Sequence, residues 1–120
     1  MKISAIEQLK FLNDMVRNSL PVSDEAIINT KKNMFLGKLD NGAMYYGKTG
    51  SGKHGRTGQD ASRSPLRDAW FVGFVDHGFQ RYIFVSNLTD KTPPDPQDKS
   101  YGGMVLNPIV LRLLNDYFGE

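Results

Sequence analysis

Apolar residues recur at spacings of three and four near the start of the chain, which predicts an amphipathic helix. Ser4 and Glu7 form a capping box that marks where the helix begins, and Pro21 ends it. The side chains predicted to face the core are Ile6, Leu9, Leu12, Met15 and Val16. Ser23 caps a second helix, which Gly37 is expected to stop.

After these helices the hydrophobic period becomes that of strands. Asn41-Gly42 tolerates the positive φ angles of a tight turn, so residues 36–49 are predicted to form a hairpin. The nearly continuous apolar run at residues 69–75, a turn at His77-Gly78 and the run at residues 79–87 predict a second hairpin. The sheet is therefore expected to be antiparallel.

The remaining segments are less periodic. Residues 50–68 are rich in Gly, Ser, Lys and Arg and are expected to form one long exposed loop, and residues 92–96 a stiff proline-rich connector. Asn107-Pro108 is interpreted as the cap and first residue of a closing helix that runs through Phe118. Residues 1–120 are thus predicted to form a single α+β domain, an antiparallel sheet packed by N-terminal and C-terminal helices.

Composition excludes several kinds of site. The 120 residues contain no cysteine, which removes disulfides, thiol nucleophiles and cysteine-bound zinc. His54 and His77 are too few and too far apart for a histidine metal cluster, so neither a metal nor a cofactor is expected. A net charge of +2 does not indicate a nucleic-acid or membrane partner. The sequence has neither a membrane-spanning apolar stretch nor the apolar block of a signal peptide.

The segment from Gly47 to His54 has two interpretations. Residues 47–53 match the G-x-x-x-x-G-K pattern of a phosphate-binding loop, which would bind a phosphate or a nucleotide. However, His54 replaces the Ser or Thr that ligates magnesium, and no helical pattern follows it. The phosphate loop is therefore kept only as an alternative.

The second interpretation is a Lys-Thr-Gly motif at the end of a strand, as in penicillin-recognising serine enzymes. Lys48 supplies a positive charge, Thr49 a hydroxyl that can bind a carboxylate, and Gly50 a backbone that a ligand can approach closely. From Lys48 to Arg67 there are five Lys or Arg and one Asp, which favours an anionic ligand, although a solvated loop would have the same composition. This segment contains no aromatic residue, which argues against nucleic-acid binding.

Four segments carry a resemblance to a known family: residues 3–8, 20–23, 46–50 and 70–75. They occur in the order and near the spacing found in class D β-lactamases, and the sequence also resembles the related penicillin-sensor domains. The resemblance runs from about Lys2 to Asn87. It implies a partial β-lactamase or transpeptidase-like fold and an extracytoplasmic location.

The resemblance also implies residue roles. Lys48 and Thr49 would orient a substrate carboxylate, and Lys48 would assist proton traffic. Ser51 would donate its amide to an oxyanion hole, and residues 48–51 together would bind a β-lactam or a peptidoglycan-like peptide.

The sequence also departs from this family. No serine is followed by lysine at the third position, so the Ser-x-x-Lys nucleophile motif is absent, and the chain is expected to be the C-terminal part of the domain and inactive in isolation. An arginine that the family places near the start of the last helix has no clear match, since Arg112 lies too far along. Because part of a sheet leaves an unpaired edge, a homodimer through that edge is expected.

Overall fold

The computed structural model describes residues 4–54, 66–92, 94–95, 97–98 and 102–118, without the side chains of residues 53, 54 and 102–104. Its elements are α1 (Ala5–Val16), α2 (Asp24–Asn33), β1 (Phe35–Lys38), β2 (Met44–His54), β3 (Leu66–His77), β4 (Gln80–Thr89) and α3 (Gly102–Phe118). The strands form one antiparallel sheet in the order β1-β2-β3-β4. The predicted α+β class is confirmed. The predicted connector at residues 92–96 lies partly outside the described residues.

The N-terminal helices begin where their caps predict. Ser4 and Glu7 exchange both hydrogen bonds of the capping box, and the Ser23 hydroxyl accepts from the amide of Ala26. α2 ends at Asn33, ahead of Gly37, which lies in β1 because the chain is already paired with β2 from Phe35 onward.

The apolar face of α1 is only partly buried. Leu12 and Met15 pack in a cluster with Phe74, whereas Ile6 is 80% exposed and Leu9 is 42% exposed. The prediction that all five residues of this face are in the core is therefore wrong for the first turns. The reason is that only the second half of α1 reaches the apolar side chains of the sheet.

The two faces of the sheet are covered by different helices because strand side chains alternate in direction. The face toward α1 and α2 carries Tyr46, Val72, Phe74, Ile83 and Val85. The face toward α3 carries Tyr45, Ala69, Phe71, Val75, Tyr82 and Phe84. Phe71, Phe74 and Val75 are the most completely buried large side chains, so β3 is the centre of the core.

The central hairpin is longer than the sequence predicts. The expected loop at residues 50–68 is wrong at both ends, because β2 continues to His54 and β3 begins at Leu66, while residues 55–65 lie outside the described part. Backbone pairing continues from Ser51 opposite Ala69 to His54 opposite Leu66 without any apolar alternation to reveal it. Hydrogen bonds between strands do not require apolar side chains.

The closing helix also begins earlier than predicted. α3 starts at Gly102 and contains Pro108 in its interior, so the interpretation of Asn107-Pro108 as its start is wrong. Leu106, which precedes the proline, is buried with Val110 against Phe71. Burial of a leucine contributes roughly 2 kcal/mol, which offsets most of the ~3 kcal/mol that an interior proline costs.

Candidate functional site

The outer edge of β2 is open beyond its first residues. β1 pairs only with residues 44–46 of β2, and the amide of Gly47 then donates to the carbonyl of Met34 at 2.8 Å. From Lys48 to His54, the side of β2 that faces away from β3 has no strand partner among the described residues. The predicted Lys-Thr-Gly motif begins where this open edge begins.

The backbone groups at the edge follow from the geometry of the strand. The polar groups of successive strand residues point to opposite sides, and the pairing of β2 with β3 is unbroken from Met44 to His54. Because the amide of Gly47 points away from β3, the amides of Thr49 and Ser51 do so too. The predicted oxyanion donor, the Ser51 amide, thus lies on the open edge.

The side chains of the motif lie on two faces of the sheet. Lys48 pairs with Val72 and is exposed on the face that carries α1 and α2, while Thr49 pairs with Phe71 and is half-buried on the opposite face. The ammonium of Lys48 and the hydroxyl of Thr49 therefore share an edge and not a face. Tyr46, stacked on Phe74 with ring centroids 4.5 Å apart, lies on the face of Lys48.

Gly50 leaves space beside Lys48. A Cβ atom at Gly50 would meet only the Cβ of Trp70, at the ordinary contact distance of 3.9 Å, so packing within the chain does not require glycine there. Trp70 is paired with Gly50, is half-buried, and lies on the same face as Lys48. Sequence analysis did not place Trp70 at the site, because only the register of the two strands brings it there.

Gly73 is a second residue that sequence analysis missed. It lies directly opposite Gly47, one residue before the motif, and a Cβ at Gly73 would lie 1.9 Å from the carbonyl oxygen of Tyr46. A Cβ at Gly47 would lie 2.5 Å from the ring of Phe71. The pair of glycines allows β2 and β3 to approach closely at this point, and glycine within a strand is the pattern that could have revealed it.

The phosphate-loop alternative is inconsistent with this geometry. A phosphate-binding loop directs several amides inward at the start of a helix. Residues 47–53 instead belong to a regular strand whose amides alternate between β3 and the open edge. The alternative is therefore wrong.

An ion-pair cluster lies at the start of β3, where Arg67 is the second residue of the strand. Nε of Arg67 lies 2.8 Å from a carboxylate oxygen of Asp90, and Nη1 lies 3.1 Å from one of Asp98. Hydrogen bonds from the side chain and the backbone amide of Arg67 lower the pKa of Asp90. In the described part of the chain, no group of three or more histidine and acidic side chains could hold a metal ion.

Arg112 does not join the site. It is exposed in α3, which packs on the face of the sheet opposite Lys48. The side chain of His54 is not among those described. None of the described helices is long and apolar enough to cross a membrane.

Comparison with known proteins identifies the family of this site. Residues 1–115 match the family model described as the penicillin binding protein transpeptidase domain. The chain belongs to this family. The resemblance that the Lys-Thr-Gly strand suggests is therefore confirmed at the level of the family.

Two individual proteins are similar to about three quarters of this chain. Beta-lactamase OXA-1 of Escherichia coli is 43% identical over 90 residues, which are 74% of this chain and 30% of that protein. The methicillin resistance mecR1 protein of Staphylococcus aureus is 32% identical over 88 residues, 73% of this chain and 14% of that protein. The chain thus spans less than a third of the length of these two relatives.

A solved structure supports the same assignment. The class D beta-lactamase OXA-427 superposes with a TM-score of 0.80 at 27% identity, covering 99% of this chain and 46% of that one. The α+β fold of the chain is therefore strongly similar to the part of the class D β-lactamase structure that it covers.

Proposed function

We propose that the chain is the β-lactam recognition portion of a class D β-lactamase-like protein. The observation that carries the proposal is the open edge of β2, where the cation of Lys48 and the outward amides of Thr49 and Ser51 stand beside the unfilled space at Gly50. The ligand would be a β-lactam or a peptidoglycan-like peptide, in keeping with the description of the family.

Each group at the edge has a role that its chemistry suits. Lys48 attracts the ligand's carboxylate, and charge-assisted contacts of this kind are about twice as strong as neutral ones. The Thr49 hydroxyl reaches the same carboxylate around the edge. An extended ligand adds to the strand through backbone hydrogen bonds. The Ser51 amide donates to the acyl oxygen, where an oxyanion develops once a nucleophile from outside this chain attacks.

The chain in isolation is proposed to bind without turnover. None of its serines is followed by lysine at the third position, so the motif that would supply an activated nucleophile is absent from the 120 residues. Purified protein is expected not to hydrolyse a chromogenic cephalosporin. Hydrolysis that Lys48→Ala abolishes would contradict this part of the proposal.

Binding can be followed with Trp70, the single tryptophan of the sequence, because it lies opposite Gly50. Titration with benzylpenicillin is expected to change the fluorescence of Trp70 saturably. Lys48→Ala should weaken binding by about tenfold, the loss expected for one charge-assisted contact of roughly 1.5 kcal/mol.

Lys38→Ala is the matched control, since Lys38 is an exposed lysine on β1, paired with the start of β2 at Met44. It changes the net charge equally but should leave binding unchanged. Equal losses in the two variants, or no saturable change in the wild type, would refute the proposed site.

We also propose that the protein is extracytoplasmic and does not bind nucleic acid. The second candidate function is that of a non-catalytic module that associates with itself. The outer edge of β4, which has no strand partner among the described residues, supports that second candidate. A periplasmic reporter fusion and a salt-dependent oligonucleotide binding assay test the first two points.

A further inference from the structure

The turn between β1 and β2 is bonded to the end of α3 through Asn41. The side-chain oxygen of Asn41 accepts from the amide of Ala43 at 2.9 Å. The other polar atom of this side chain is therefore its nitrogen, which donates to the carbonyl of Phe118 at 2.8 Å. Phe118 is the last residue of α3, where carbonyls have no partner within the helix. Asn41 thus caps α3 from a turn that lies 77 residues away in the sequence.

A second hydrogen bond joins the same two elements. The side-chain oxygen of Asn115, in the last turn of α3, accepts from the amide of Asp40 at 2.9 Å. The bonds from Asn41 to Phe118 and from Asp40 to Asn115 together form a turn–helix clamp. The clamp holds Phe118 in a buried cluster with Val75 of β3, one of the most completely buried side chains of the core.

Asn41 is also the one asparagine of the sequence that is followed by glycine. Asparagine is a thermolabile residue because the next backbone nitrogen can attack its side-chain carbonyl carbon. A following glycine favours this attack, since it has no side chain to hinder the approach. Even a Cβ atom at Gly42 would meet nothing within 4 Å, so packing in the turn leaves room for the reaction.

We propose that Asn41 is a site of spontaneous deamidation that the turn–helix clamp controls, and that the reaction releases the end of α3. The backbone nitrogen of Gly42, after losing its proton to a base in the solvent, bonds to the side-chain carbonyl carbon of Asn41. The bond from that carbon to the side-chain nitrogen breaks, and the nitrogen takes up a proton and leaves as ammonia. Water then opens the resulting succinimide to aspartate or isoaspartate. The net reaction consumes one water and releases one ammonia, and nothing is oxidised or reduced.

The folded structure restrains both reacting groups. The Gly42 amide donates its proton to the carbonyl of Leu39 at 2.9 Å, so this proton is already held by an acceptor. The side chain of Asn41 is bonded at both of its polar atoms, and it cannot turn toward Gly42 without losing those bonds. We therefore expect the reaction to proceed from molecules in which the clamp has opened locally.

The product of the reaction cannot rebuild the clamp. An aspartate at position 41 has only acceptor oxygens, so it directs a carboxylate oxygen at the Phe118 carbonyl where the asparagine directed a donor. It also adds negative charge at the C-terminal end of α3, where the helix dipole disfavours it. Because the ammonia is lost, a molecule that has reacted stays open. Neither step depends on ligand binding at the open edge of β2.

Peptide mass spectrometry of the 120-residue chain in mildly alkaline buffer tests the site and its control by the fold. In urea, Asn41 should deamidate before any other asparagine, and in the folded chain its rate should be at least about tenfold lower. Asn115→Ala removes one bond of the clamp and should speed the reaction in the folded chain about fivefold. Asp116→Ala, at the next and exposed position of α3, is the matched control and should leave the rate unchanged. Earlier reaction at another asparagine, equal rates in urea and in the folded chain, or equal rates in the two variants would each overturn the proposal.

The release of α3 is tested with variants of Asn41 itself. Asn41→Asp reproduces the aspartate product, whereas Asn41→Ala only removes the donor. The equilibrium constant of unfolding should therefore be about threefold higher for Asn41→Asp than for Asn41→Ala. Amides in the last turn of α3 should exchange hydrogen faster in Asn41→Asp than in the wild type, while those of α2 should be unaffected. Equal stability of the two variants, or unchanged exchange in the last turn of α3, would refute the release.

Discussion

Two open edges of the described sheet, one on β2 and one on β4, differ greatly in their side chains. Both the β2 edge after Gly47 and the β4 edge offer alternating amides and carbonyls to an incoming strand. From Lys48 to Gly52, the side chains of β2 are small or charged, and two of these residues are Gly50 and Gly52. Along β4, half of the side chains are aromatic or aliphatic and only Arg81 is charged.

Both edges offer the same backbone groups, so it is the side chains that decide what kind of partner an open edge accepts. Glycines and a lysine leave room for a small anionic ligand and discourage a second strand of the same chain. A row of β-branched and aromatic residues presents apolar surface that only a larger partner can cover. The following variants test each edge separately or test β3, the strand that joins them.

The largest effect is expected from Gly73→Ala, which acts on both edges through β3. The added Cβ would lie 1.9 Å from the carbonyl oxygen of Tyr46, and a backbone atom cannot move aside as a flexible side chain can. Overpacking of this kind should lower the free energy of unfolding by about 3 kcal/mol. Urea unfolding followed by circular dichroism measures it.

Gly50→Ala is the control for this prediction. Its Cβ has an ordinary contact of 3.9 Å with Trp70, so the free energy of unfolding should change by less than about 1 kcal/mol. It should nevertheless weaken penicillin binding, because the methyl group enters the space beside Lys48. Similar stability losses in the two variants would mean that close approach of β2 and β3 at Gly73 is not what the glycine provides.

An intermediate effect is expected from proline at an outward amide of either edge. Proline removes a donor and is tolerated in a strand where that donor does not pair with a neighbour. Ser51→Pro should weaken penicillin binding by about tenfold and leave self-association of the chain unchanged. Asn87→Pro should weaken self-association by about tenfold and leave penicillin binding unchanged. Fluorescence titration and ultracentrifugation of both variants give the four measurements.

Asn87→Ala is the control for the β4 variant, because the Asn87 side chain donates to the carbonyl of Ala69 at 2.9 Å. Asn87→Ala loses that side-chain bond but keeps the backbone amide of residue 87, which points away from β3. Its self-association should therefore be as strong as that of the wild type. If each proline impaired both functions alike, the two edges would not be independent.

Local features of the fold were predictable from the sequence because their causes are local. The capping box at Ser4 and the cap at Ser23 depend on residues three positions away, and the Asn41-Gly42 turn depends on two residues. The family resemblance also rested on short motifs. Lys48, Thr49 and Gly50 do lie on a strand, but β2 continues to His54, so the prediction that they end the strand is wrong.

Features that depend on distant partners were not predictable. The ends of the central hairpin are paired through the backbone, and Arg67 is bound by Asp90 and Asp98 from beyond β4. The start of α3 is set by burial of Leu106 against the sheet and not by Pro108. Trp70 joins the candidate site only through the register of two strands.

The smallest effect is expected on the pH dependence of stability, through the ion pair of Arg67 and Asp90 at the start of β3. Arg67 holds the pKa of Asp90 below its ordinary value of 3.8. As the pH falls, the Asp90 carboxylate is therefore protonated at a higher pH in the unfolded chain than in the folded one. The stability that this pair contributes is therefore present above the ordinary pKa and is lost as the pH falls through the lower, folded value. Asp90→Asn should remove this part of the acid dependence, while Asp40→Asn, at an exposed carboxylate in the β1–β2 turn, should keep it. Urea unfolding at a series of acidic pH values compares the slopes, and equal slopes for Asp90→Asn and the wild type would show that the ion pair does not couple folding to pH.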